Sequence, residues 1–293
     1  MALVRLRLMT YNVGGGRRSA ETDVTAVSRI VRELSPDVLA VQESVEYLDA
    51  HGIARGLSKS IAEAAEFGDR YVFGETLSLV RNLHPDSVNM HRAVRRNWKD
   101  WRLGNAVFSR FGFVDFDHPD HSGGARNFLI FSPPQYNGNR DTEPRGALIA
   151  RLNLPPSFPI VVSTHFSTLR EERGANLSES RSLRAIELRK RQARELLALL
   201  RGADPGQSVI VLGDFNAEPS EDCIADVLEG DGGFSRLVPE GGPRKTHIDA
   251  GIVDHILFRP ADRLRHYTCQ IAGRFDEFSP SDHLPVVAEI TLA

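Results

Sequence analysis

A series of short apolar runs, each typical of a strand, ends in polar or charged side chains that could do chemistry. Polar groups at strand ends are a usual way for an α/β sheet to build a site. We therefore expect these side chains to converge on one site, and their types favour a hard divalent cation acting on a phosphate ester. The residues are Asn12, Gln42, Glu43, His165, Asp214, Asn216 and Asp254, and the series closes with Ser281-Asp282-His283.

The segment Gly213-Asp214-Phe215-Asn216 places an acid and an amide two residues apart, on one side of an extended chain. Carboxylate and amide oxygens suit Mg²⁺, which takes few protein carboxylates and often a substrate phosphate. The same ligand types recur at Asn12, Glu43 and Asp282. Zinc fits less well, because the chain has no HExxH motif and its 10 histidines are scattered. Singly, Asp214, Asn216 and Asn12 are also compatible with turns, and Glu43 with a charge at a helix start.

Two histidines lie at predicted strand ends. His283 is the candidate for proton transfer, since imidazole titrates near neutral pH, and Asp254 is the candidate partner that fixes its tautomer. His165 is a second candidate imidazole. The alternative for either ring is a hydrogen-bonded interior histidine. His255 should point to the opposite face of its strand from Asp254, where it packs or faces solvent.

Candidate substrate-binding residues are Arg145, Asn105 and the two tryptophans. Arg145 begins an apolar run and could clamp phosphate through its guanidinium, or could be a solvated edge charge. Trp98 and Trp101 lie among basic residues in 91–102. That segment is either a platform for stacking and phosphate attraction or an amphipathic helix that packs its tryptophan face.

The composition is that of a globular protein: 293 residues, 41% hydrophobic and 26% charged, with a net charge of −3. This charge gives no global basic footprint for tight duplex DNA binding. Cys223 and Cys269 lie far apart and predict buried or half-buried free thiols. We find no signal-peptide core and no apolar run long enough for a membrane span, so we expect a soluble, cytoplasmic protein.

The periodicity predicts helices at 23–34, 56–66, 178–201 and 220–229. Long loops are expected at 81–103, 115–127 and 133–145. We predict an α/β fold of two packed β-sheets flanked by helices, in a single domain spanning 1–293. The predicted strands cover 4–13, 38–42, 105–109, 128–131, 146–153, 160–166, 208–213, 252–258, 264–271 and 285–291, with another beginning at Tyr71.

The order of these motifs resembles the endonuclease/exonuclease/phosphatase (DNase I-like) superfamily over about residues 8–290. The motifs are Thr10-Tyr11-Asn12-Val13, Val41-Gln42-Glu43, Gly104-Asn105-Ala106-Val107, Arg145-Gly146-Ala147-Leu148, Ser163-Thr164-His165, Gly213-Asp214-Phe215-Asn216, Val253-Asp254-His255-Ile256 and Ser281-Asp282-His283-Leu284.

The resemblance implies a four-layer α/β sandwich that depends on one or two ions of Mg²⁺ or Mn²⁺. It implies that Asn12, Glu43 and Asp282 surround the main metal. Asp214 and Asn216 would hold the attacking water and the phosphate, or a second metal. The resemblance also implies phosphate contacts for His283, oriented by Asp254, for His165 and for Arg145.

The predicted function is metal-dependent hydrolysis of a phosphodiester or phosphomonoester by in-line attack of water. A small molecule, nucleotide or lipid headgroup fits the net charge, whereas DNA or RNA fits the basic 91–102 segment. The rival from another class is a catalytically silent binding module of the same fold. We expect a monomer.

Overall fold

The computed structural model describes residues 3–14, 20–82, 94–95, 97–114, 125–203, 206–276 and 279–293. Within them the chain forms two mixed sheets of seven strands each. The strands are β1 (Val4–Asn12), β2 (Val38–Leu48), β3 (Ala54–Gly56), β4 (Tyr71–Ser78), β5 (Lys99–Ser109), β6 (Phe113–Val114), β7 (Arg126–Phe131), β8 (Arg145–Leu152), β9 (Ile160–His165), β10 (Val209–Asp214), β11 (Ser235–Arg236), β12 (Asp254–Arg259), β13 (Leu264–Ile271) and β14 (Val286–Leu292).

Three α-helices and one π-helix accompany the sheets in this part of the chain. They are α1 (Ala20–Leu34), α2 (Leu57–Ala64), α3 (Glu179–Leu199) and the π-helix Cys223–Asp231, with short 3₁₀ turns at Arg140–Thr142, Gly174–Asn176 and Ala261–Arg263. None of these helices is long and apolar enough to cross a bilayer.

The first sheet has the order β13-β14-β1-β2-β5-β4, with β3 paired to β2. Its central strand β1 runs parallel to β2 and antiparallel to β14. The second sheet has the order β11-β12-β10-β9-β8-β6, with β7 paired to β8. Here β10 runs parallel to β9 and antiparallel to β12. In each sheet, strands from distant parts of the sequence thus become neighbours.

Alternation along the strands divides the apolar residues between two kinds of core. The even-numbered residues of β1, such as Leu6 and Leu8, join the core between the sheets, which also holds Ile210 and Leu212 of β10. The intervening residues of β1, such as Met9, face the other side of the first sheet.

Helices cover both outer faces. Side chains of α1 and α2 pack against the first sheet, and side chains of α3 and the π-helix pack against the second. The layers are therefore helix, sheet, sheet, helix, which confirms the predicted four-layer α/β sandwich.

Three helix predictions are confirmed to within a few residues, and the fourth is realised as the π-helix. The predicted loop 81–103 is wrong at its end, because β5 already begins at Lys99. The first residues of β5 pair with β2 and with β4, and this pairing extends the strand. The predicted strand 38–42 continues to Leu48 through a bulge. The predicted loop 115–127 lies mostly outside the described residues. Both cysteines are free and buried, as predicted.

Candidate active site

The alternation that builds the inner core also gathers the polar strand ends. Asn12, His165 and Asp214 are in phase with the inward-facing Leu8, Val161 and Leu212 on their own strands. In the second sheet, Asp214 is paired with His165 on one side and with Asp254 on the other. The predicted convergence of the strand ends therefore occurs, at one mouth between the two sheets.

Asp214 is the centre of this cluster. Its Oδ2 lies 2.9 Å from Asn12 Nδ2, 3.3 Å from His165 Nε2 and 3.6 Å from His283 Nε2. Burial acts to raise the pKa of this carboxyl, but His283, His165 and Asn12 outweigh it and hold the pKa well below its usual range. Asp214 is therefore a buried, ionised acceptor surrounded by donors.

His283 and Asp254 form the predicted imidazole–carboxylate pair, with Nδ1 2.8 Å from Oδ2. Burial opposes a charge on the ring, yet Asp254 and Asp214 together raise the pKa of His283 to about 9. Burial raises the pKa of Asp254, whose Oδ1 accepts no hydrogen bond from the described residues. The arrangement favours a proton on His283 between two carboxylates.

Donor atoms of Asp214, Asp254 and His283 lie within 4.8 Å of one another, so this group could also hold a metal ion. The hydrogen bond between His283 and Asp254 already uses one ring nitrogen and one carboxylate oxygen. The three groups are thus also compatible with a proton bound between His283 and Asp254 and with no metal ion.

Glu43 reaches the site because β2 bulges there. Strict alternation would place it on the outer face, opposite to its neighbour Gln42. However, the pairing of β2 with β5 shifts between Val41 and Ser44, and Glu43 takes a left-handed φ of 55°. Its Oε1 lies 3.4 Å from Asn12 Nδ2.

Asp282 approaches the same edge from the segment before β14. A Cβ on Gly14 would lie 3.4 Å from Asp282 Oδ1, and Gly14 has a left-handed φ of 65°. Asn12 Oδ1 accepts a hydrogen bond from the Gly14 backbone at 3.0 Å, which fixes the amide with its oxygen toward that turn. Asn12, Glu43 and Asp282 thus offer oxygen donors of the kind that fit Mg²⁺ or Mn²⁺. Their roles as ligands stay predictions.

Asn216 is held in one orientation by its neighbours. It has a left-handed φ of 51°, and its Nδ2 donates to Phe166 O at 2.9 Å and lies 3.2 Å from His165 Nε2. Its Oδ1 accepts from Arg173 Nη1 at 3.1 Å, and Arg173 Nη2 donates to the Asn216 backbone oxygen. The sequence analysis did not identify Arg173, because one arginine in a polar loop has no distinguishing pattern.

Arg145 is buried beside His165 and is not a solvated edge charge. Its Nη1 lies 3.0 Å from His165 Nδ1 and 3.1 Å from Glu143 Oε1. These three side chains, together with Glu43 and Asn105, line a small cleft next to Asp214. Asn105 donates from Nδ2 to the backbone oxygens of Gly146 and Ser163, at 3.0 and 3.3 Å, and so links the two sheets at the base of the cleft.

The two tryptophans belong to a small apolar cluster that includes none of the side chains around Asp214. Trp101 is on β5, is 2% exposed and packs with Val45, Leu77 and Tyr136. The expectation that it offers an open ring face to substrate is corrected, because that ring is already covered. Trp98 is half-buried and stacks on Tyr47 with ring centroids 4.1 Å apart. The amphipathic-helix alternative for 91–102 is wrong from Lys99 onward, where the chain is a strand, and residues 91–93 and 96 lie outside the described residues.

A third imidazole, His247, was also missed by the sequence analysis. Its ring meets that of His283 edge to face, with centroids 4.7 Å apart. Burial, and then the charge on His283, lower its pKa to about 4. His255, in contrast, is buried on the opposite face, as predicted, and lies 2.8 Å from Ala217 O through Nε2.

The sequence model of the endonuclease/exonuclease/phosphatase family matches residues 9–283 of the chain. No curated protein sequence gives a match. Solved structures with the same fold include an endonuclease/exonuclease/phosphatase from Beutenbergia cavernae DSM 12333, with a TM-score of 0.67 and 21% identity over 98% of this chain and 72% of that one.

A Bacteroides vulgatus endonuclease/exonuclease/phosphatase has a TM-score of 0.63 and 14% identity, covering 99% of this chain and 100% of that one. The human Nocturnin catalytic domain, solved with a bound sulfate anion, has a TM-score of 0.62 and 16% identity, covering 100% of this chain and 97% of that one. At these identities the likeness shows the fold, while the family match extends over almost the whole chain.

Proposed function

The chain belongs to the endonuclease/exonuclease/phosphatase family, and on that premise we propose that it hydrolyses a phosphate ester with the help of Mg²⁺ or Mn²⁺. The family acts on phosphoester bonds, and we propose a phosphodiester, or else a phosphomonoester, as the bond that is cut. The observation that carries this proposal is the position of Asp214 Oδ2 between Asn12, His165 and His283. The ionised carboxylate can accept a hydrogen bond from a water molecule, and the surrounding donors can bind the oxygens of a phosphoryl group.

The proposed role of each side chain follows from its charge and its hydrogen-bonding groups. Asp214, with its low pKa, accepts a hydrogen bond from the attacking water and orients it toward phosphorus. Asn216 and the imidazole of His165 would contact the phosphoryl oxygens. Their side chains lie against each other, and Arg145 lies behind His165. His283, held by Asp254, is protonated and donates from Nε2 to an oxygen on which charge develops.

Asn12, Glu43 and Asp282 would hold the divalent cation at the edge next to this cluster. When bound, the cation supplies Lewis-acid stabilisation of the phosphoryl oxygens. The support in this structure is the chemistry of the donor set, two carboxylates and an amide oxygen, together with the bulge that directs Glu43 to Asn12. A second ion beside Asp214 and Asn216 is the alternative arrangement.

We also propose that the protein is a single domain that acts as a monomer in the cytoplasm. Two free, buried thiols are compatible with a reducing compartment.

The experiment is a hydrolysis assay with Mg²⁺ and Mn²⁺ on bis-p-nitrophenyl phosphate, nucleotides, inositol phosphates, sphingomyelin, RNA, and intact and abasic DNA. The expected result is metal-dependent hydrolysis by the wild type and loss of about 10²–10⁴-fold in Asp214→Asn. Activity on the small diester alone would assign a small substrate, whereas a steep salt dependence with DNA or RNA would assign a nuclease.

Metal binding is measured separately by thermal unfolding. Mn²⁺ should stabilise the wild type, and Glu43→Gln should remove most of this shift. Glu289→Gln, an exposed position on β14, is the matched control. No metal-dependent shift and no hydrolysis on any substrate would instead support the silent binding module.

A further inference from the structure

We propose that His247 is a substrate-contacting hydrogen-bond donor that binds a non-bridging phosphate oxygen through Nε2–H. The inference rests on the proposed phosphoesterase function. It adds to that function a donor beside Asp282, on the side of the site away from Arg145.

The backbone around His247 is fixed by pairing with the segment that carries the site. His247 and His283 form an antiparallel bridge. Ile248 N donates to Asp282 O at 2.9 Å, and Leu284 N donates to Thr246 O at 2.8 Å. Thr246 is itself buried, and its Oγ1 accepts from the Asp254 backbone at 3.1 Å. His247 is thus tied both to the Asp282-His283 segment and to the start of β12, so its ring is pre-organised.

A backbone hydrogen bond determines which ring nitrogen of His247 carries the proton. The Asp249 N–H donates to Nδ1 at 2.9 Å. A backbone N–H is always a donor, so Nδ1 must present its lone pair and the ring proton must sit on Nε2. A second proton on Nδ1 would break this bond. The backbone of this segment therefore makes Nε2–H of His247 the hydrogen-bond donor of the ring.

The Nε2–H of His247 is left to face the site. Its nearest ionic acceptor is Asp282 Oδ2 at 4.0 Å, which is beyond hydrogen-bond range. Within the described residues it makes no hydrogen bond, and its side chain is 15% exposed. This hydrogen lies at the rim of a cluster of donors, beside a predicted metal ligand. It is therefore suited to form a hydrogen bond with an oxygen of the bound substrate.

The choice of a non-bridging oxygen follows from the neighbouring groups. Asp214 and Asp282 are acceptors and would repel an anionic oxygen, so donors must lie on the sides where such an oxygen binds. His165 and Asn216 supply donors on one side of Asp214. On the other side, His283 supplies one, and His247 lies next to it with its ring edge to face. A donor in this position adds a hydrogen bond on the same side as His283 and next to Asp282.

The test compares His247→Phe, which keeps a planar ring without a donor, with His247→Gln, whose amide nitrogen can replace Nε2–H. Binding of inorganic phosphate is measured by calorimetry in the presence of Mn²⁺, and kcat/KM is measured on the best substrate of the wild type. We expect His247→Phe to weaken phosphate binding and kcat/KM by about 10- to 100-fold, as for one hydrogen bond to a charged oxygen. His247→Gln should recover most of both. His266→Phe, at an exposed position on β13, is the matched control.

Wild-type phosphate affinity in a folded His247→Phe protein would overturn the proposal, as would a His247→Gln protein that is as impaired as His247→Phe. Either result leaves the phosphoesterase function standing if the wild type hydrolyses a substrate. Absence of hydrolysis by the wild type would instead contradict the function itself, whatever the His247 variants do.

Discussion

Asp254 holds the imidazole of His283 from behind, with Oδ2 2.8 Å from Nδ1, so that Nε2 faces Asp214. Asp254→Asn keeps the size of this side chain but removes its charge and presents an amide to the ring. We expect kcat to fall by about 10²–10⁴-fold, because the ring loses both its charge partner and its tautomer control.

Steady-state kinetics with the wild type and Asp254→Asn would measure this fall. Asp262→Asn, at an exposed position before β13, should behave as wild type. A kcat within about threefold of wild type for Asp254→Asn would show that the pair is structural rather than functional, since a proton-handling pair contributes at least 10²-fold.

Arg173 is expected to act by positioning Asn216. Its guanidinium contacts both the side-chain oxygen and the backbone oxygen of Asn216, which leaves Nδ2 directed at His165. Arg173→Ala should lower kcat/KM by about 10- to 100-fold, in line with the cost of misplacing one reacting group. Arg173→Lys should recover part of the loss because it keeps one donor and the charge.

The matched control for Arg173 is Arg170→Ala, in the same loop with an exposed side chain. A double variant with Asn216→Ala separates positioning from an independent charge effect. If Arg173 works through Asn216, its removal should cost little once Asn216 is gone. Additive losses would contradict that route.

Arg189 should contribute strongly to stability. It is 2% exposed, bonds Glu172 at 2.6 Å and holds both carboxylate oxygens of Glu221, at 2.6 and 2.9 Å. Arg189→Leu would leave two buried or half-buried carboxylates without their partner, so the free energy of unfolding should fall by about 3–5 kcal/mol. Arg191→Leu, exposed on the same helix, should change it by less than about 0.5 kcal/mol. Urea denaturation of the three proteins would decide between these outcomes.

His255 makes stability depend on pH. Burial lowers its pKa to about 4, against 6.5 for an unperturbed histidine. The unfolded chain therefore takes up this proton more readily than the folded protein. The stabilisation from His255 is complete above pH 6.5 and declines as the pH falls toward 4, and the loss reaches about 2 kcal/mol at pH 5.

Denaturation of the wild type and of His255→Gln at pH 7 and pH 5 would test this. The glutamine amide can still donate to Ala217 O, but it does not titrate, so the variant should lose less stability than the wild type over this range. His51→Gln, on the surface, should follow the wild type. Equal losses in wild type and His255→Gln would contradict the prediction.

The sequence was sufficient for those site residues that follow the period of a regular strand. Asn12, His165, Asp214 and Asp254 continue the inward phase of β1, β9, β10 and β12, so hydrophobic alternation and a polar strand end were enough to place them. The sequence could not show why Glu43 points the same way, because its orientation comes from a bulge that depends on pairing with β5.

Arg173 and His247 could not be predicted because their positions depend on partners distant in sequence. Arg173 is set by Asn216, 43 positions away, and His247 by the bridge to His283. Trp101 was misjudged for the same reason. Basic neighbours suggested a surface segment, but long-range pairing made it a strand and buried the ring.

The site is divided between the two sheets. Asn12 and Glu43 lie on β1 and β2, and Asp282-His283 leads into β14, while His165, Asp214 and Asp254 belong to the second sheet. Gln42 Nε2 donates to Ser163 Oγ at 3.1 Å directly across the interface. Each sheet taken alone therefore carries only half of the chemistry.

This division has a consequence for the folding chain. Because β14 pairs with β1, the first and the last groups of the site meet only after the intervening sequence has been made. They reach Asp214 of the second sheet only once the two sheets have docked. A partly folded intermediate with two well-formed but undocked sheets would carry native-like strands and no hydrolytic activity. Hydrolytic activity should therefore be a more sensitive measure of the docking of the two sheets than any measurement of strand content.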